Sequence, residues 1–226
     1  MNKYRITDEQ TIFNDRVLRR IQAIQNFGNI KEGDLGGWVQ GEWNLSQEGE
    51  CWIWKNGMVF DKAKVRGNAK ILDRGIVMNS AIVEDNAYVY ANAKVAGNAI
   101  VSGNAKIYEC AWVDENVRVC ENAHVWGQVW DQAVVYGSAR IYEEAGIWGN
   151  ACVGGDVEVN NIILTEKINL KGRAKIMNKG DIKIFNWHPQ YPLAITKNPK
   201  PLFHCGEFTG TQEEFLKFIG IDLAIS

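Results

Sequence analysis

The chain has 226 residues, a formal net charge of −2 and 46% hydrophobic residues. This near-neutral charge gives no reason to expect binding to nucleic acid or to an anionic membrane surface. Polar residues follow the N-terminal stretch Met1 to Arg5, so we expect no signal peptide. No apolar run is long enough to predict a membrane span. The five cysteines are scattered without a C-x-x-C pair, which favours a cytoplasmic protein over a disulfide framework.

Residues 1–34 lack the repeat that dominates the rest of the chain. Two stretches, Tyr4 to Thr7 and Val17 to Ile24, predict short strands joined by a polar turn. The end of a solenoid exposes unpaired backbone groups and apolar core, so it needs a cover. We therefore expect residues 1–34 to form a small N-terminal β cap.

Residues 35–185 carry a β-branched or other apolar residue at about every sixth position, most regularly between Ile53 and Val125. A period of six fits neither a helix nor a single strand, and so indicates a structural repeat. A small residue follows four positions later, as in Ala93 and Ala99, and would fit inside a tight corner. Asn often precedes it, and because Asn tolerates left-handed backbone we expect Asn to form the corner. The pattern resembles the hexapeptide repeat of the left-handed parallel β-helix, an all-β solenoid with three hexads per coil.

The repeat loses residues at two places. Val125 to Gln128 is a four-residue unit, and a five-residue unit follows Val159. The faces keep their alignment only if a corner absorbs each loss. Counting from Leu35 to Ile182, the sequence predicts about eight coils.

Residues 186–226 contain all four prolines and are expected to form a separate C-terminal tail. Leu193 to Thr196 and Leu202 to His204 are candidate strands. Thr211 to Glu214 has the form of a capping box and precedes Phe215 to Ile219, which predicts a short helix. The tail is too small to fold alone, so we expect it to pack on the last coil or on a neighbouring subunit.

The flanks and repeats together resemble a family of short hexapeptide-repeat proteins encoded by phages and prophages. The residues concerned are Asp34 to Val39, Cys205 to Phe215, and repeats of the form Val-x-Gly-Asn-Ala-x. The resemblance implies a left-handed β-helix, a homotrimer and, for a phage-encoded protein, the host cytoplasm. It carries little assigned chemistry, so it transfers no catalytic residue. The chain departs from the family between Ile182 and Leu202.

Three histidines bear on whether the chain has the chemistry of a hexapeptide acyltransferase, which needs a histidine base beside the acyl carrier and acceptor. His124 lies in the coils on a regular hexad without a protruding loop, so we interpret it as an outward surface or binding residue. His188 and His204 lie in the tail, which offers no converging set for zinc. We predict no catalytic residue, no metal site and no cofactor.

One face of the predicted solenoid combines aromatic and basic residues. Outward positions separated by three full hexads stack on one another, because three hexads make one coil. One column of this first face contains Trp52, Lys70, Tyr88, Lys106, His124 and Arg140, and the other contains Trp54, Leu72, Tyr90, Tyr108, Trp126 and Tyr142. Aromatic rings stack on bases, and cations bind phosphates. The predicted ligand-binding residues are Tyr88, Tyr90, Lys106, Tyr108, His124, Trp126, Arg140 and Tyr142. The alternative is a subunit interface, since stacked rings also stabilise neighbouring strands.

A second face is largely apolar. It contains Met58, Phe60, Ile76, Met78, Trp112, Trp130 and Trp148. A monomer rarely exposes an apolar face of this length, so we expect a homotrimer to bury it. The alternative is that cap or tail segments cover it.

Three classes of function stay open. The first choice is a non-catalytic protein that sequesters a small nucleotide-derived ligand on the first face or between subunits. The phage-like resemblance suggests that this ligand is a host immune signal. An acyltransferase is the second choice, and a structural or interaction rod is the third. Acetyl-CoA turnover would favour the enzyme, and stoichiometric nucleotide binding without product would favour the binder.

Overall fold

The computed structural model describes residues 2–165, 167–186, 192–197 and 199–221. These residues form a left-handed parallel β-helix of about eight turns, with a hairpin at one end and a small antiparallel sheet at the other. The predicted fold class and number of coils are confirmed. No helix within the described ranges combines the length and the apolar character needed to cross a membrane.

The N-terminal cap is a hairpin that extends one face of the β-helix. Its strands are β1 (Tyr4–Phe13), which is longer than predicted, and β2 (Arg16–Ala23), which is shifted by one residue from the prediction. β2 pairs antiparallel with β3 (Leu35–Val39). β3 then pairs in parallel with the first coil, and a 3-10 turn follows at Glu42–Asn44. Buried Lys3 anchors the cap, because its ammonium donates to the carbonyl oxygens of Glu48, Gly49 and Cys51.

The coils are built from strands of two residues each. They are β4 Trp52–Ile53, β5 Met58–Val59, β6 Lys64–Val65, β7 Lys70–Ile71, β8 Ile76–Val77, β9 Ile82–Val83, β10 Tyr88–Val89, β11 Lys94–Val95, β12 Ile100–Val101, β13 Lys106–Ile107, β14 Trp112–Val113, β15 Arg118–Val119, β16 His124–Val125, β17 Gln128–Val129, β18 Val134–Val135, β19 Arg140–Ile141, β20 Gly146–Ile147, β21 Cys152–Val153, β22 Glu158–Val159, β23 Ile163–Leu164, β24 Asn169–Leu170 and β25 Lys175–Ile176. Every third strand joins the same sheet, which gives the solenoid three faces.

The second residue of each strand points inward and forms the core. Val89, Val101 and Ile107 are fully buried, as are the corner residues Ala99 and Ala105. The corners therefore have no room for a larger side chain, as the spacing of the sequence predicts.

The backbone conformation of the corners differs from the prediction. The left-handed residue is the one before Asn, such as Asp85 (φ 57°) or Gly103 (φ 66°). The Asn carboxamides instead form a ladder along the rod, in which Asn86 donates to Asn104 at 3.3 Å and Asn104 donates to Asn122 at 3.0 Å. Along one column of corners, Gly and acidic residues alternate at the left-handed position: Gly67, Asp85, Gly103, Glu121 and Gly137. In this column the carboxylate of Asp85 accepts the amide N–H of Gly103 on the next coil.

The residues missing from the four-residue and five-residue units are taken out of corners, so the three faces stay aligned, as expected. Gln128 still pairs with Trp112, and Ile163 still pairs with Gly146, although the chain between the partners is shorter than three full hexads in both cases. The four-residue unit depends on Gly127, where an added Cβ would stand 2.4 Å from the carbonyl oxygen of Ala145. Only a residue without a side chain fits this shortened corner.

The C-terminal unit is a four-stranded antiparallel sheet followed by a helix. Its elements are β26 (Ile182–Phe185), β27 (Leu193–Thr196), β28 (Leu202–Cys205), β29 (Phe208–Gly210) and α1 (Gln212–Phe218). The predicted capping box is present, since the Thr211 hydroxyl accepts from the Glu214 amide. Residues 182–185, expected as the last β-helix unit, pair with β27 instead, because an antiparallel partner is available there.

Candidate ligand-binding face

The register of the coils brings all eight predicted site residues onto one face. Tyr88 pairs with Lys106, Lys106 with His124, and His124 with Arg140, so these four form one column. The residue after each of these strands points outward again and forms the second column, which contains Tyr90, Tyr108, Trp126 and Tyr142. The placement agrees with the sequence analysis, whereas ligand binding stays a prediction.

The aromatic side chains of the second column form a continuous ladder. Tyr90 and Tyr108 are stacked with ring centroids 4.9 Å apart, and Trp126 and Tyr142 with centroids 4.7 Å apart. Tyr108 and Trp126 are tilted at 4.5 Å and join the two pairs. Tyr108 and Trp126 therefore have neighbours on both ring faces, and a base cannot stack on them without displacing a ring. Among the described aromatic residues, no ring covers the outer face of Tyr90 or Tyr142, so stacking is restricted to these two ends.

The tyrosine rings reach across the face towards the charged column. The Tyr108 hydroxyl lies 3.4 Å from Nδ1 of His124, and the Tyr142 hydroxyl donates to Glu158 at 3.3 Å. Burial raises the pKa of Tyr108 above its ordinary value, so this hydroxyl stays protonated and available as a donor at neutral pH. Tyr88 instead makes a cation–π contact, with the Lys70 ammonium 5.5 Å from its ring centroid.

The charged column places Lys106, His124 and Arg140 on successive coils, and Glu158 follows Arg140 on the next coil. In the described part of the chain, neither Lys106 nor Arg140 forms an ion pair. The pKa of His124 is lowered, first by burial and then by the positive charges of Lys106 and Arg140. The imidazole is therefore neutral at pH 7, and an anion bound here would raise its proton affinity. The unpaired Lys106 ammonium and Arg140 guanidinium are groups that can bind phosphate oxygens.

A cleft of about 490 Å³ continues the charged column beyond Arg140. Arg173 and Lys175 line it together with Glu158, and Pro199 of the tail forms part of its wall. Lys175 lies 3.4 Å from Glu158 in an ion pair. The sequence analysis missed Arg173 and Lys175, because the five-residue unit shifts them out of the spacing of three full hexads. Allowing for the residue that this unit lacks would have aligned Lys175 with Glu158, its partner in the sheet.

The second face is apolar, as predicted, and is partly covered. Phe13 of the cap packs against Phe60 with ring centroids 5.8 Å apart, which leaves Phe60 buried. Further along, Trp130 and Trp148 stack at 5.2 Å, and Trp112 is 38% exposed. The cap thus accounts for one end of this face, and the rest stays accessible for the predicted trimer.

The remaining histidines are not on this face. His204 is buried in the C-terminal sheet, and burial lowers its pKa to about 4. His188 lies outside the described residues. Within the described ranges, no three His, Cys, Asp or Glu side chains are grouped so as to hold a metal ion.

Comparison with known proteins adds one partial similarity. No protein-family model matches the chain. A protein described as uncharacterized acetyltransferase YdcK, of Escherichia coli (strain K12), is 39% identical over 80 residues, which cover 31% of this chain. The match covers 24% of YdcK, so the chain spans about a quarter of the length of that relative. Together with the repeats and the solenoid, this similarity supports a hexapeptide-repeat β-helix protein.

Proposed function

We propose that the chain is a non-catalytic binding protein that captures a small nucleotide-derived ligand on the first face. The observation that carries this proposal is the column of Lys106, His124 and Arg140 on successive coils, in which neither Lys106 nor Arg140 forms an ion pair among the described residues. Two unpaired cations with a histidine between them favour an anion that carries more than one charge. The aromatic ladder beside it favours an anion that also carries a flat ring.

The geometry divides the ligand between the two columns. Phosphate oxygens bind Lys106 and Arg140, and the neutral His124 gains a proton as the negative charge arrives. The base stacks on the outer face of Tyr142, since the faces of Trp126 and Tyr108 are already covered. Successive coils are about 4.8 Å apart, so the distance from base to phosphate corresponds to two or three coils.

The proposal includes a homotrimer and a biological purpose. In a trimer, the exposed part of the second face is buried and the first face is placed beside a neighbouring subunit, so the ligand is enclosed. The flanks that resemble phage-encoded proteins suggest that the ligand is a host immune signal, removed by binding rather than by turnover. The protein then acts in the cytoplasm of the host cell.

An acetyltransferase is the second candidate, and the similarity to YdcK favours it. The lowered pKa of His124 keeps its imidazole neutral at pH 7, the form in which it can accept a proton. However, its Nδ1 faces the Tyr108 hydroxyl at 3.4 Å, and no described carboxylate hydrogen-bonds to the ring to orient it. A bound acyl donor would itself be a nucleotide derivative, so both candidates share the same charged column.

One experiment separates the two candidates. Purified protein is mixed with ATP, ADP-ribose, a cyclic dinucleotide or acetyl-CoA, and both the bound fraction and the chemical products are measured. The binder retains one intact nucleotide at a fixed stoichiometry. Release of free coenzyme A with an acetylated acceptor would establish the enzyme. If none of these molecules binds, the proposal is wrong.

A further inference from the structure

Trp43 is an exposed tryptophan that is held in one position. The residue is 58% exposed, yet its indole Nε1 donates a 2.7 Å hydrogen bond to the carbonyl oxygen of Asp61. Its six-membered ring lies against Gly41, where an added Cβ would stand 2.1 Å from ring atom Cζ3. The ring is therefore held against the Gly41 backbone, while more than half of the residue's surface is exposed to solvent.

Trp43 borders a cleft of about 520 Å³ between the 3-10 turn and the cap hairpin, on a different part of the molecule from the first face. The other side chains of the cleft are those of Ile6, Val17, Arg19, Gln40 and Glu42. Within the described ranges, the Arg19 and Glu42 side chains have no hydrogen bond or ion pair. Gln40 is fixed, because its Oε1 accepts the Asp61 amide at 2.8 Å, and its Nε2 stays available as a donor.

The chemistry of the cleft selects a class of ligand. A guanidinium and a carboxylate lie at the same opening, so a purely anionic ligand meets Glu42 and a purely cationic one meets Arg19. A neutral ligand with many hydroxyls satisfies both, since each hydroxyl can donate and accept. The exposed Trp43 ring and the Val17 side chain, which line the same cleft, favour in addition a ligand with a flat apolar surface. The C–H face of a sugar ring combines these properties.

We propose that this cleft binds a neutral pyranose sugar, with its C–H face on the Trp43 ring. Its hydroxyls pair with the Arg19 guanidinium, the Gln40 amide and the Glu42 carboxylate. The site is independent of the nucleotide site on the first face, since no residue is shared between them.

Saturation-transfer NMR with the methyl pyranosides of glucose, galactose, mannose and N-acetylglucosamine tests the proposal on the full chain. We expect saturation of the ring C–H protons of at least one sugar by the wild type. Trp43→Ala should weaken that binding about fivefold or more. The control is Trp112→Ala, which removes another exposed tryptophan and should leave sugar binding unchanged.

A second variant keeps every polar group. Gly41→Ala places a methyl group where the Trp43 ring rests, so it should displace the ring and weaken binding as strongly as Trp43→Ala. A melting curve for each variant shows that the fold is intact. The proposal is wrong if no sugar of the panel receives saturation, or if Trp43→Ala and Trp112→Ala bind alike. Tighter binding of glucose 6-phosphate than of the neutral sugars would also contradict it.

Discussion

His204 should make the attachment of the C-terminal sheet sensitive to acid. Its imidazole is buried at the seam between the sheet and the last coils. Nδ1 accepts the Lys171 amide at 3.5 Å and also lies 3.2 Å from the Thr209 hydroxyl, while Nε2 faces the Thr196 hydroxyl at 3.1 Å. Since Nδ1 accepts a backbone N–H, the ring is neutral and carries its proton on Nε2. Protonation of Nδ1 would break the contact with Lys171.

The size of the effect follows from the two pKa values. Burial lowers the pKa of His204 from 6.5 to about 4 in the folded chain. As the pH falls below 6.5, the opened state therefore binds a proton that the folded state does not, and stability is lost down to about pH 4. Between pH 7 and pH 5, this linkage removes about 2 kcal/mol from the free energy of opening the sheet.

Hydrogen exchange of the Lys171 amide and of β27 and β28 measures this opening at pH 7 and pH 5, after correction for the intrinsic pH dependence of exchange. The control is His204→Gln, which keeps a polar side chain but does not titrate. We expect wild-type protection to fall by about 2 kcal/mol more than that of the variant. Equal losses in both proteins would refute the reasoning.

Three further predictions concern the coil and its assembly. Ala99→Leu should overpack a closed corner and destabilise the fold by about 1–3 kcal/mol, whereas an unchanged melting temperature would mean that the corner has room. Asn104→Ala removes two exposed hydrogen bonds of the Asn ladder, so the free energy of unfolding in denaturant should fall by about 1 kcal/mol. An unchanged free energy of unfolding would mean that water replaces both hydrogen bonds fully. Light scattering at micromolar concentration should give three times the 25.5 kDa chain mass, and the mass of a monomer would exclude the trimer.

The sequence was sufficient for the fold because a single period determines it. The inward residues from Ile53 to Val125 repeat at a spacing of six, and backbone pairing then fixes which residues share a face. The sequence alone therefore predicts the two columns that contain Lys106 and Tyr108. The shortened unit was also predictable, because the inward residues Val125 and Val129 are four positions apart instead of six.

What the spacing could not predict depends on side-chain direction and on contacts between distant segments. The mutual stacking of Tyr108 and Trp126 covers ring faces that the pattern leaves open. The left-handed residue precedes Asn because the ladder uses the Asn carboxamides, a contact between coils. The burial of His204 and the cleft beside Trp43 arise where non-repeating segments fold back on the coils.

The most direct test of a nucleotide site on the first face is to measure nucleotide affinity for two matched lysine variants. Lys106 and Lys94 occupy the same position of the hexad, but Lys94 lies on the second face, with its ammonium 5.5 Å from the ring centroid of Trp112. For the tightest-binding nucleotide of the panel, we predict that Lys106→Ala weakens binding about tenfold at low salt and less at high salt, while Lys94→Ala binds like the wild type. Equal affinities of both variants and the wild type, with all three in the same oligomeric state, would contradict a nucleotide site on the first face.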